Sequence, residues 1–134
     1  CQIGESIAAV GVMSGIMLAD DSCDTNNATS VLHFHGTNDF ALPYDGSGDF
    51  QSVAQVIDFW VNHNGIADGT PTTTELDNGQ VTHDRYTGGS NGTVVELYTI
   101  QNGDHVWFGD SIGGEDPNDI LWRFLDGYDV NGTR

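Results

Sequence analysis

The chain has 134 residues, the size of one domain, and its 37% apolar residues with 3 Trp, 4 Tyr and 6 Phe suffice for a packed core. It carries 20 Asp and Glu against 3 Arg and no Lys, a net charge of −17. That balance argues against DNA, RNA or anionic membrane as partners, since each relies on Lys and Arg to meet phosphate.

The chain starts at Cys1 without a leader pattern, which reads as a processed chain or a fragment. Residues 7–13 are apolar and partly β-branched, and Gly15 comes after them, so a buried strand or a helix-to-strand junction is expected. Residues 19–29 are a polar, acidic loop, whose Asp20, Asp21, Asp24 and Asn26 lack the spacing of a calcium loop. Cys1 and Cys23 allow one disulfide, which would stabilise by roughly 3 kcal/mol; two free thiols are the alternative. Residues 30–35 read as a second strand, ended by Gly36. A loop over 37–49 leads to Asp49 as a helix N-cap. Phe50, Val53, Ala54, Ile57, Trp60 and Val61 then recur at helical spacing until Gly65.

Two Thr/Val-rich runs, 72–76 and 81–86, flank Asp77-Asn78-Gly79-Gln80 and predict a hairpin. Residues 93–100 form a further strand, and 101–115 a loop with His105. Asp116 caps a last helix with Pro117 at its first position, a face of Ile120, Leu121, Phe124 and Leu125, and a stop at Gly127. The closing DGYDVNGTR reads as a helix exit and a short polar tail. Strands alternating with helices predict an α/β sheet, with sites at the C-terminal ends of its strands. One domain over 1–134 is expected.

Two loops at strand ends carry titratable groups. The first runs Leu32-His33-Phe34-His35-Gly36-Thr37-Asn38-Asp39, the second Ile100-Gln101-Asn102-Gly103-Asp104-His105-Val106-Trp107. An Asp in one and a His in the other can meet over the sheet edge. The carboxylate would hold Nδ1–H and leave Nε2 as a base. Asp39 as a turn residue and His105 as a loop histidine is the other reading of the same residues. His33 and His35 alternate on one strand face and read as core or near-site histidines rather than ligands. His63 ends a helix, and His83 sits in the hairpin facing solvent. No motif calls for a metal or a cofactor.

The segment HFHGTNDFALPYDG resembles the acid-bearing segment of the polyhydroxybutyrate depolymerase and feruloyl esterase group of secreted α/β-hydrolases. VTHDRYTGG and VVELYTIQNGDHVWFG are similar to that group's strand and histidine loop, and CQIGESIAAVGVMSG to the stretch just after its nucleophile. Departures are Asp104 where the group has Gly, Phe108 where it has Pro, and Gly89 where it often has Cys. The resemblance implies the C-terminal part of an α/β-hydrolase sheet, with flanking helices and a hairpin-like insertion. It implies Asp39 as the triad acid and His105 as the general base. Trp107 would sit beside the site, and Tyr44 and Phe108 could line the pocket with it. It also implies a carboxylic ester hydrolase acting on polyester oligomers or on aryl or short acyl esters, outside the cell.

The group's Gly-x-Ser-x-Gly elbow would precede Cys1, so this stretch would be the C-terminal half of a larger domain. Gly4-Glu5-Ser6 lacks the preceding strand an elbow needs, and Ser14 has the wrong spacing. The alternative function is a non-catalytic binding or oligomerising module. It would use a partner or a second copy to cover an open sheet edge.

Overall fold

The computed structural model describes residues 3–20 and 26–134. Cys1, Cys23, Asp21 and Asp24 lie outside the described residues, and with them the expected disulfide. The strands are β1 (Ala9–Met13), β2 (Ser30–Gly36), β3 (Thr72–Leu76), β4 (Val81–Tyr86) and β5 (Val95–Ile100). The helices are α1 (Val53–His63) and α2 (Pro117–Asp126). Two-residue strands β6 (Tyr128–Asp129) and β7 (Gly132–Thr133) close the chain.

The five longer strands form one mixed sheet in the order β1-β2-β5-β4-β3. β1, β2 and β5 run parallel, while β4 and β3 are antiparallel to their neighbours. The fold is therefore of the α/β class. The expected hairpin forms, but it is no separate insertion. β4 pairs with β5 from Val81–Ile100 to Tyr86–Val95 and so extends the main sheet.

β2 has parallel neighbours on both sides, and every one of its residues is buried. Such a strand usually reads as an unbroken apolar run. Here Val31 packs under α1 with Val53, Ile57, Val61, Val95 and Leu97. Leu32 and Phe34 point the other way, into a core with Tyr98, Ile120, Phe124 and Tyr128 beneath α2. Alternation then puts His33 and His35 on the α1 face. α1 covers one face of the sheet and α2 the other, and the loops after β2 and β5 expose Thr37, Asn38, Asp104 and His105.

Three local expectations need correction. α1 is capped by Ser52, not Asp49. Ser52 Oγ accepts from the Gln55 amide, and the Gln55 side chain accepts from the Ser52 amide. This reciprocal box satisfies two of the free amides of the first turn. Phe50 stays outside the helix and bridges Leu18. Second, the end of the chain is no polar tail, because Tyr128 is buried in the α2 core and opens the β6–β7 ladder. Third, His83 does not face solvent. Its ring stacks on Tyr98 at 4.1 Å and its Nε2 lies 2.8 Å from Glu96 Oε2.

Candidate active site

Three loops leave the same edge of the sheet, where β1, β2 and β5 end. Ser14 follows β1, Asp39 follows β2 and His105 follows β5. Backbone contacts set the distance between the last two. A Cβ on Gly36 would overlap the Gly103 carbonyl, so these loops touch main chain to main chain. The Asn38 amide donates to Gly103 O at 2.9 Å and the Thr37 amide to Ile100 O at 2.9 Å. Thr37 Oγ1 accepts from the Asn102 amide, and Asn38 Nδ2 donates to Asp104 Oδ1, each at 2.8 Å. Asp104, the residue where the resembled group has Gly, thus serves as a tie between the loops.

That scaffold brings Asp39 and His105 together. Asp39 Oδ2 lies 2.9 Å from His105 Nδ1. The Asp39 side chain is fully buried, whereas the imidazole is 40% exposed. Asp39 Oδ1 accepts from the Ala41 amide at 3.0 Å and the Leu42 amide at 2.8 Å. Burial pushes this carboxyl up, but the Leu42 amide, His105 and the Ala41 amide outweigh it and hold it below the ordinary value. Asp39 is therefore an anion at neutral pH. A carboxylate can only accept, so a neutral His105 carries its hydrogen on Nδ1 and presents a bare Nε2. Among the described residues no hydrogen bond uses that Nε2.

The structure places the serines away from this role. Ser6 lies in a 3-10 turn ahead of β1, at the opposite end of the sheet. Ser14 is at the right edge, in a left-handed backbone conformation with φ of 52°. It is buried, however, and its Oγ donates to Val106 O at 2.8 Å, tying the end of β1 to the histidine loop.

The aromatic candidates separate. Trp107 and Phe108 line a cleft of about 410 Å³ with Val106, Val81, Ile100 and Ile112. Phe108 is buried in its floor, and Trp107 stands exposed at the rim with Nε1 donating to Asn118 Oδ1 at 2.9 Å. Tyr44 is not part of this cleft. Its hydroxyl meets Thr99 Oγ1 at 2.9 Å, and its ring lies edge-on to His35. Of the remaining histidines, His63 closes α1 with Nε2 3.1 Å from Asn27 O.

The two residues that read as core or near-site histidines lie buried behind Asp39. His35 Nε2 lies 2.9 Å from Leu42 O and 3.3 Å from Asp39 Oδ2. His35 Nδ1 lies 3.1 Å from His33 Nε2. The His-x-His-x3-Asp spacing is the one sequence signal for this arrangement. Among the described residues no group of His, Cys, Asp and Glu is arranged to hold a metal ion. No family model matches the sequence, and no curated protein matches it.

Proposed function

We propose that this chain supplies the acid and the base of a serine carboxylic ester hydrolase, of the polyhydroxyalkanoate depolymerase or feruloyl esterase kind. The observation that carries the reading is the Asp39 Oδ2–His105 Nδ1 hydrogen bond at the C-terminal edge of three parallel strands, with Nε2 left open. Nε2 of His105 would take the proton from a serine hydroxyl as it attacks the ester carbonyl. The same nitrogen would then return it to the leaving alcohol. Asp39 holds the ring in the tautomer this needs and stabilises the imidazolium that forms. Trp107 and Phe108 line a cleft that includes neither Asp39 nor His105 but begins at Val106 beside the histidine, and it would receive an uncharged acyl or aryl group, which suits a strongly acidic chain outside the cell.

The nucleophile would come from a strand beside β1, whose outer edge carries no ladder among the described residues. That free edge equally favours a second reading, a non-catalytic module that docks a partner or another copy there.

One experiment separates the two. The protein is produced with its preceding coding sequence and assayed on p-nitrophenyl butyrate. A Gly-x-Ser-x-Gly in frame within about 20 residues upstream, and a fall of about 10⁴-fold or more on His105→Ala, are expected. Absence of that motif, or turnover that survives His105→Ala, overturns the proposal.

A further inference from the structure

The buried face behind Asp39 has hydrogen-bond chemistry of its own. A carbonyl oxygen only accepts, so the contact with Leu42 O requires the hydrogen of His35 on Nε2. A neutral His35 then has a bare Nδ1, which must accept from His33 Nε2–H. The reversed tautomer would set a lone pair against both Leu42 O and the Asp39 carboxylate. His33 is 1% exposed, and its Nδ1 has no hydrogen-bond partner among the described residues. Burial pushes the His33 imidazolium down to about 3, with His35 adding to the effect and the Gly15 backbone opposing it, so His33 stays neutral.

We infer that His35 is a positioning residue for Asp39, holding the acid from behind in the tautomer that Leu42 O requires. The inference rests on the reading of Asp39 and His105 as a working pair. His35 Nε2–H binds Leu42 O and reaches Asp39 Oδ2, while the Leu42 amide binds Asp39 Oδ1. One imidazole therefore closes the turn over 39–42 and faces the carboxylate oxygen that His105 uses. Removing this donor frees Leu42 O, loosens the turn and lets the carboxylate rotate away from His105 Nδ1. His35 touches no reacting atom; it acts through Asp39.

The test is NMR on this chain at neutral pH, uniformly labelled with ¹⁵N. Long-range correlations are expected to give the Nε2–H tautomer for both His33 and His35. A His35 that carries its hydrogen on Nδ1, or on both nitrogens, overturns the inference without any variant. The His105 Nδ1–H proton then reports on the pair. In His35→Leu it should exchange with water about tenfold faster or more, the scale of a lost bond to a charged acceptor. His35→Gln, whose amide can donate to the same oxygens, should restore slow exchange. A proton unaffected by His35→Leu, or not restored by His35→Gln, overturns it. Ester turnover is no readout here, so failure of the hydrolase reading would leave the tautomer result standing.

Discussion

The molecule holds two carboxylate–histidine pairs of nearly equal length, Asp39–His105 at 2.9 Å and Glu96–His83 at 2.8 Å. They differ in everything around the bond. Asp39 is fully buried, fixed by two backbone amides, and among the described residues offers Oδ2 to histidines alone. Glu96 is 13% exposed and divides its oxygens between His83 and Arg85. His105 is held by Nδ1 and keeps Nε2 open on a loop, whereas His83 spends Nε2 on Glu96 and lies flat on Tyr98. The first arrangement leaves a base poised at a strand edge. The second fastens β4 to β5 through Nε2, with its ring flat on Tyr98. A short hydrogen bond between the two residue types thus marks no site by itself; the exposure of the ring beyond it, 40% for His105 and 19% for His83, is what differs.

The contrast can be broken first at the acids. In the proposed hydrolase, Asp39→Asn should lower kcat about 10⁴-fold, because the amide no longer selects the working tautomer. Glu96→Gln should leave kcat unchanged, and equal losses from both would erase the distinction.

A second measurement concerns the protonation cost of the Asp39 end. Unfolded His33 titrates near 6.5 and folded His33 near 3, so between these values the unfolded chain holds the extra proton. The stability is fully present above pH 6.5. It should fall as pH drops towards 3, by up to about 1.4 kcal/mol per pH unit. Urea denaturation from pH 4 to 7 reads this slope, and His33→Leu should flatten it.

The Glu96 end answers differently. Burial raises its carboxyl, but His83 and Arg85 outweigh that and depress it below its ordinary 4.5. Its contribution is therefore in place above that value and lost as pH falls through the folded one. Glu96→Gln should cost about 1–3 kcal/mol at neutral pH in urea titrations, with the difference narrowing in acid. The smallest effect belongs to Arg85, whose side chain is half exposed. Arg85→Gln should cost less than about 1 kcal/mol, and less again in high salt.

The α/β class, the hairpin turn and the two loops with Asp39 and His105 are legible in the sequence, because each carries local chemistry. The turn at Asp77-Asn78-Gly79 needs positive φ and has the residues that tolerate it. What stays hidden depends on neighbours distant in the chain. A hairpin strand reads as a margin, which makes His83 look solvent-facing, yet β4 lies between β3 and β5 with Tyr98 across from it. Phe50 fits the helical period and draws the expected start of α1 too early. The Ser52-x-x-Gln55 box is the better local signal. Tyr44 sits in the same loop as Asp39 but turns to Thr99, which no spacing rule reveals.

The main-chain contact of Gly36 with Gly103 has a consequence for transplanting the pair. Since the separation of acid and base is gauged by two backbones in contact, the segments 36–39 and 100–105 would have to move together, along with His35, Ala41 and Leu42 that hold Asp39. One residue added between Gly36 and Asp39 would put the carboxylate out of step with its imidazole, however well the rest of the sheet folded.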